Sequence, residues 1–243
     1  MKTIAVASGK GGVGKSTVSL NLARALAARG FAVGLLDADI YGPDIPLMLG
    51  LKQTRPLGSW ELGRNPRFGA IRLEPVEILD LKVMSVGFLI AEAQALTMPA
   101  MLVESLARQL LDDVDWGSLD YLIVDLPPGT ADLQQQIFAT FGVVGAIVVV
   151  GPQDAAHLDA RKLLTMLRNA NVPVLGVVEN MTALECPHCG EHVHVFPPVA
   201  DERSILRELP LLGSIPLDPS LSVLNGVPPA FAEIAARVAH ALA

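Results

Sequence analysis

The sequence carries its most informative chemistry in a glycine-rich segment close to its beginning. The pattern G-x-x-x-x-G-K-[ST] is matched by Gly9-Lys10-Gly11-Gly12-Val13-Gly14-Lys15-Ser16, between a predicted strand and a predicted helix. Glycines let the backbone N–H groups turn toward a phosphate, and the helix N-terminus adds a positive dipole. Lys15 supplies a positive charge for the β- and γ-phosphates, and Ser16 a hydroxyl for Mg²⁺. We therefore predict a nucleotide-binding loop rather than a structural glycine turn, with contacts from Gly9, Lys10, Gly11, Gly12, Val13, Gly14, Lys15, Ser16 and Thr17.

Carboxylates follow two further predicted strands. Asp37 and Asp39 come after the second strand, at the carboxyl edge of the sheet, where folds of this class bind ligands. If that strand persists, alternation places both side chains on one side, although turn or capping carboxylates are the alternative. We predict that Asp37 holds Mg²⁺ through water and that Asp39 orients the attacking water.

A third carboxylate, Asp125, ends the apolar strand Tyr121–Val124. This pattern is typical of a Walker B aspartate, which reaches Mg²⁺ through water. Gly129, four residues later, can offer its N–H to the γ-phosphate and so sense hydrolysis. The predicted magnesium ligands are Ser16, Asp37 and Asp125; the predicted catalytic residues are Lys10, Lys15 and Asp39; the predicted switch is Gly129.

Both cysteines of the chain lie in one C-x-x-C pattern, Cys186-Pro187-His188-Cys189, followed by Gly190. Two thiolates at this spacing can point at one metal, but a tetrahedral site or a four-iron cluster needs about four ligands. A C₂ dimer completes such a site by symmetry. A local Zn²⁺ site with His192 and His194 is a second possibility, and a redox dithiol is a third.

The elements that must position these residues alternate along the chain. Strand followed by helix, repeated, predicts an α/β fold with a mostly parallel central sheet of about seven or eight strands and helices on both faces. We treat residues 1–243 as a single domain, with the cysteines on a late loop at Leu184–Pro198. The predicted strands are Thr3–Ala7, Phe31–Leu36, Lys82–Val86, Tyr121–Val124, Ala146–Val150, Val174–Val178 and Leu211–Ile215, and the predicted helices are Lys15–Arg29, Met98–Asp113, Ala131–Phe141, Asp154–Asn171 and Ala230–Leu242.

The composition excludes several classes of protein. The 243 residues are 51% hydrophobic and 18% charged, which excludes a disordered chain, and the net charge of −7 disfavours nucleic acid as a partner. The most membrane-like run, Phe141–Pro152, is too short to span a bilayer, and we expect no secretory signal. We expect a cytoplasmic protein without a membrane partner. The segment Leu51–Arg72 has five basic side chains against one acidic, and it is either a solvated loop or a docking patch for an acidic partner.

Lys10 and six ordered motifs give the sequence a family resemblance. A lysine early in the loop resembles the deviant Walker A signature of ATPases of the MinD, ParA, nitrogenase iron protein and Mrp type. Together with that signature, further motifs resemble the Mrp/ApbC family of iron–sulfur cluster carrier ATPases. They are D-A-D-I-Y-G-P at Asp37–Pro43, D-Y-L-I-V-D-L-P-P-G-T at Asp120–Thr130, P-Q-D at Pro152–Asp154, V-E-N-M at Val178–Met181, C-P-H-C-G at Cys186–Gly190 and I-P-L-D at Ile215–Asp218.

The resemblance implies more than the residues do by themselves. It implies a three-layer P-loop NTPase fold and an ATP sandwich homodimer, in which Lys10 reaches the partner's phosphates. It places Asn180 and Pro216 against the adenine. It also implies a labile [4Fe–4S] cluster bridged by Cys186 and Cys189 of both subunits, exchanged with scaffold proteins and apo-protein acceptors.

Related functions are less consistent with the sequence. A MinD-like membrane-positioning ATPase needs a basic amphipathic tail, whereas the tail Pro229–Ala243 has Arg237 as its one full positive charge. A ParA-like DNA segregation ATPase needs a basic surface. Neither class explains the cysteine pair. The sequence departs from the carrier family at Leu96–Ala100, where W-R-G-P-M is usual, and at Pro197-Pro198, where a glycine-rich turn is usual.

Overall fold

In the computed structural model, the described residues form a nine-stranded sheet at the centre of the molecule. The structure describes residues 1–40, 42–51, 73–88, 110, 113–129, 134, 137–138, 142–186, 188–197, 199–200, 202–222, 224 and 226–243. The strands are β1 (Lys2–Ala7), β2 (Val33–Asp37), β3 (Val76–Ile78), β4 (Leu81–Ser85), β5 (Tyr121–Asp125), β6 (Val143–Val150), β7 (Val174–Glu185), β8 (His192–Val193) and β9 (Leu211–Leu217). The described helices are α1 (Lys15–Ala27), the single turn α2 (Ile45–Met48), α3 (Asp154–Asn169) and α4 (Pro229–Ala241), with 3₁₀ turns at Val86–Phe88, Ile205–Arg207 and Pro219–Ser222.

The strand order explains where a ligand can bind. The order is β3-β4-β2-β5-β1-β6-β7-β8, and β9 also pairs with β7. All neighbours are parallel except the pairs β3–β4 and β7–β8. The chain moves one way from β1 to β2 and the other way from β6 to β7. The carboxyl end of β1 therefore lies where the winding direction reverses, which is the usual ligand crevice of such sheets.

The same reversal puts helices on both faces of the sheet. Crossovers between parallel strands are right-handed, so α1 and α3 cover opposite faces. Helix α4 packs against α1 and β9. Because both faces are covered, β2 and β5 are buried along their whole length, and so is β1 after its first residue.

The predicted mostly parallel α/β fold is confirmed. All seven predicted strands are present, with ends that differ by at most three residues except in β7, which continues to Glu185. Helix α1 ends at Ala27 rather than Arg29, because Gly30 adopts a left-handed φ of 89° and its N–H closes the last turn onto the Ala27 carbonyl.

Two short antiparallel strands, β3 and β8, were not predicted. The segment Leu184–Pro198 was predicted to be a loop. That prediction is wrong for its first part, which forms a hairpin of β7 and β8. Other predictions fall outside the described residues. They are most of the basic segment Leu51–Arg72, the departure at Leu96–Ala100, and nearly all of the helices at Met98–Asp113 and Ala131–Phe141.

Candidate functional site

The glycine-rich loop is pressed between α3 and β7, which explains two of its glycines. A Cβ atom on Gly9 would lie 2.4 Å from the backbone carbon of Asp159. A Cβ atom on Gly14 would lie 2.1 Å from Nδ2 of Asn180, and Gly14 also has a left-handed φ of 83°. Neither position therefore tolerates a side chain without a shift of its neighbours. Gly14 immediately precedes α1, so the loop delivers Lys15 to the helix N-terminus as the sequence predicts.

Asn180 lies against the same loop. Its Nδ2 donates to the Val13 carbonyl over 2.9 Å, and the residue is buried. On the neighbouring strand β9, Ile215 is its register partner, and the half-buried Pro216 comes next. The structure thus brings the two predicted adenine contacts, Asn180 and Pro216, together beside the loop. In this structure the amide of Asn180 fastens β7 to the loop, and its contact with adenine stays a prediction.

Lys15, Ser19 and Asp125 form the buried centre of the site. The Lys15 Nζ lies 2.9 Å from Asp125 Oδ1, and the Ser19 hydroxyl donates to the same oxygen over 2.6 Å. Ser19 and Asp125 are fully buried, and Lys15 is nearly so. The ion pair offsets the cost of placing a carboxylate away from water.

The second carboxylate oxygen of Asp125 lacks a hydrogen-bond donor among the described residues. This oxygen, Oδ2, is buried. A buried carboxylate oxygen without a donor is costly, so such an atom marks a place where a ligand supplies the donor. A water molecule bound to Mg²⁺ is a donor of this kind, and Asp125 therefore fits its predicted role as a magnesium residue.

Asp37 is held more tightly than its predicted role requires. Its Oδ1 accepts from the N–H of Asp39 (3.2 Å), and its Oδ2 accepts from the N–H of Ile45 (3.2 Å) and the hydroxyl of Ser85 (3.0 Å). These are turn and capping contacts, which the sequence offers as the alternative to metal binding. Complete burial, followed by the nearby charge of Asp125, raises the pKa of Asp37 well above its usual range.

Asp39 is placed beside Lys15 by the turn after β2 rather than by strand alternation. Strand β2 ends at Asp37, so the alternation does not extend to Asp39, whose N–H folds back onto Asp37. The Asp39 Oδ1 accepts from the N–H of Gly42 (3.2 Å), and its Oδ2 lies 4.0 Å from the Lys15 Nζ. Asp39 is therefore beside the cation that is predicted to bind the γ-phosphate.

Gly129 is already bonded to the loop. Its N–H donates to the carbonyl of Ser8 over 3.0 Å, with a left-handed φ of 93°. A contact of this N–H with a γ-phosphate therefore requires the bond to Ser8 to break. Lys10 lies half-buried on the same loop, and its carbonyl accepts from the Ser8 hydroxyl over 2.9 Å.

The cysteines lie at the turn of the β7–β8 hairpin. Leu184 pairs with Val193, and the N–H of Cys186 donates to the carbonyl of Glu191 over 2.9 Å, which continues the ladder by one step. Both thiols are free; Cys186 is half-buried and Cys189 is exposed.

The thiol of Cys186 is surrounded by donors. Hydrogen bonds from the backbone N–H groups of His188 and Cys189, and from the Cys189 thiol, lower the pKa of Cys186. The thiolate is the form that binds metal. The hairpin therefore brings the two sulfurs together and favours the ligating form of one of them.

The alternative single-chain zinc site is not assembled in the described part of the chain. Within it, no three His, Cys, Asp or Glu side chains converge as metal ligands. His192 lies in β8, and His194 Nδ1 lies 3.2 Å from the carbonyl of Thr182.

Ser19 and Ser85 contribute to the site, and the sequence patterns did not indicate them. Ser19 lies four residues after Lys15 and so on the same face of α1, which is a signal that the sequence contains. Ser85 ends β4 opposite Asp37, its register partner. That pairing joins residues 48 positions apart, and no local pattern reports it.

None of the helices that the structure describes combines the length and apolar character needed to cross a bilayer.

Comparison with known proteins gives consistent matches. Residues 1–239 match the ParA family model described as NUBPL iron-transfer P-loop NTPase. The chain is 44% identical to the mouse iron–sulfur cluster transfer protein NUBPL over 223 residues, which are 90% of this chain and 67% of that protein. It is 45% identical to the iron–sulfur cluster carrier protein of Haemophilus influenzae over 215 residues, 86% of this chain and 56% of that protein.

A solved structure agrees with these matches. The nucleotide-binding protein of Archaeoglobus fulgidus in complex with ADP has a TM-score of 0.76 and 36% identity, with 95% of this chain and 90% of that chain covered.

Proposed function

Since the chain belongs to the family of NUBPL iron-transfer P-loop NTPases, we propose that it hydrolyses ATP and carries a [4Fe–4S] cluster. Two copies of the chain bind this cluster jointly. The cluster is cargo, which a scaffold protein supplies and an apo-protein acceptor receives. The observation that carries the proposal is the hairpin turn with two free thiols, on the strand that also fastens the nucleotide loop. The chain spans 56% to 67% of the length of the two curated relatives above, so its partners belong to the proposal.

ATP binding at the nucleotide site requires Lys15 to exchange its ion-pair partner. Lys15 neutralises Asp125 in this structure, and it leaves Asp125 for the β- and γ-phosphates when ATP binds. Ser16 and Asp125 are the residues that would hold Mg²⁺, directly or through water. Asp37, whose two oxygens already accept hydrogen bonds, would reach it only through water. Mg²⁺, when bound, neutralises phosphate charge and holds the phosphates in position.

Hydrolysis requires a water molecule aligned with the γ-phosphate. Asp39 lies beside Lys15. We propose that it accepts a hydrogen bond from this water, so that the attacking oxygen faces the γ-phosphorus. Lys10 of a second copy places a positive charge next to the phosphate oxygens, where negative charge develops during hydrolysis. The Gly129 N–H leaves the Ser8 carbonyl for the γ-phosphate and returns to it after hydrolysis.

The cysteine hairpin supports a site shared between two copies. Each chain offers two thiols, Cys186 and Cys189, and a four-iron cluster takes about four. A second copy related by two-fold symmetry supplies the missing pair.

Strand β7 gives the two sites a physical connection. Asn180, at the loop, and Cys186 are six residues apart, which is about 20 Å along an extended strand. Between them the strand is irregular, because Met181 has a left-handed φ of 60° and the register with β9 shifts between Asn180 and Leu184. We expect a shift of the loop on ATP binding to reach the cysteines through this segment.

Anaerobic reconstitution with iron and sulfide tests the proposal. We expect the wild type to bind about four iron atoms per two chains and to absorb visible light. Cys186→Ser and Cys189→Ser should lose the iron and still bind ATP, because both residues lie away from the loop. His192→Ala is the matched control, since it removes a ligand of the alternative zinc site and leaves both thiols in place. A colourless protein with one zinc per chain, lost in His192→Ala, would contradict the proposal.

A further inference from the structure

Three exposed apolar side chains form a row across the end of the sheet. Leu184 on β7 is the register partner of Val193 on β8 and of Leu217 on β9. Paired residues on neighbouring strands project from the same face. Their exposed fractions are 45% for Leu217, 36% for Leu184 and 48% for Val193. We call these three residues the apolar row.

Two further exposed apolar side chains lie close to the row along the chain. Val195 and Phe196 lie two and three residues after the end of β8, with exposed fractions of 61% and 41%. Single exposed apolar residues are ordinary, whereas a contiguous group of them indicates a contact surface.

The row shares its face with a cysteine. Cys186 lies two residues beyond Leu184, and its N–H bond to Glu191 continues the same ladder. Because side chains alternate along a strand, Cys186 and Leu184 project from one face. The hairpin therefore presents a thiol and apolar surface side by side.

We propose that the apolar row is the contact surface for a second copy of this chain, which it holds in place around the shared cluster. The inference rests on the proposed function and names the surface through which the two copies meet. Under two-fold symmetry, whatever brings the second cysteine pair to the first also brings a second row to the same place.

The small size of the surface makes this contact dependent on the cluster. A stable interface buries about 800 Å² on each partner, which is far more than three half-exposed side chains provide. Apolar contact through the row therefore adds to the iron–sulfur bonds and does not replace them. We expect copies that carry the cluster to associate through this face, and copies without it to separate there.

Sedimentation velocity after anaerobic reconstitution tests the inference. Val193→Asp, Val193→Lys and Leu217→Asp each place like charges of the two copies near one another, so either sign should disfavour the pair. We expect the dimer fraction of the cluster-loaded protein to fall at least about fivefold, with a loss of iron. Leu158→Asp is the matched control and should behave as the wild type, because the Leu158 side chain lies on α3 and is 46% exposed. Retained ATP binding shows that each variant is folded.

Each result decides between the hypotheses. If the wild type forms a cluster-bridged dimer and the row variants do so equally well, the row inference is wrong and the proposed function stands. The same holds if the variants dimerise normally and lose only transfer to an apo-protein, which assigns the row to the acceptor. If the wild type takes up no cluster, the proposed function fails, and the row inference fails with it.

Discussion

The hydroxyl of Ser19 donates to Oδ1 of Asp125 over 2.6 Å, and both residues are completely buried. The Lys15 Nζ contacts the same oxygen from 2.9 Å. If Lys15 moves to the phosphates of ATP, Ser19 is the donor that stays with this oxygen. Ser19 therefore lowers the cost of moving the lysine away from a buried carboxylate, and we regard it as a positioning residue.

Ser19→Ala should weaken ATP binding by about tenfold or more, because a hydrogen bond to a charged group contributes about 1.5–3 kcal/mol. Titration with a fluorescent ATP analogue measures the affinity. A double-mutant cycle supplies the control: with Asp125→Asn already present, Ser19→Ala should have little further effect. An equal loss in both backgrounds would show that Ser19 acts only through helix packing.

Lys15→Ala should abolish ATP binding and also destabilise the fold. It removes the phosphate contact and leaves Asp125 buried without its cation, which costs about 3–5 kcal/mol. Denaturant unfolding measures the stability. Adding Asp125→Asn removes the uncompensated charge, so the double variant should regain stability and still fail to bind ATP. Unchanged binding in Lys15→Ala would refute the nucleotide site.

Gly14→Ala should be far more harmful than Gly30→Ala. Both glycines have left-handed φ angles, 83° and 89°, and share a strain cost of about 1–2 kcal/mol for a residue with a Cβ. A Cβ at Gly14 also meets Asn180 Nδ2 at 2.1 Å, whereas a Cβ at Gly30 has no atom within 4 Å.

The steric part can be isolated from the strain. Adding Asn180→Ala to Gly14→Ala removes the clash and should restore part of the stability, which thermal unfolding measures. No recovery would indicate that the left-handed backbone alone decides the cost.

Cys186 should react as a thiolate at a lower pH than an ordinary cysteine. Hydrogen bonds from the His188 and Cys189 N–H groups favour the charged form and so lower the pKa of Cys186. Because the shift is downward, the stabilising contribution of these hydrogen bonds is complete above the ordinary pKa of a cysteine and is lost as the pH falls through the lowered pKa.

The rate of alkylation of the cluster-free protein against pH measures this shift. We expect the midpoint for Cys186 to lie below that of the same cysteine in the unfolded chain. Coincident midpoints would contradict the hairpin geometry.

The sequence by itself determined the α/β fold and the nucleotide loop, because both depend on contiguous residues. Buried parallel strands appear as short runs of Val, Ile and Leu, and the loop glycines are required by local backbone geometry. The cysteine pair was equally visible. Strands β3 and β8, of three and two residues, are too short for alternation to reveal them.

Only the tertiary structure decided how distant residues meet. The bond of Ser19 to Asp125 spans 106 positions, and the bond of Asn180 to Val13 spans 167. The apolar row likewise depends on the register of three strands. Which strands become neighbours depends on how the whole chain folds, so these contacts between distant residues became visible only in the folded chain.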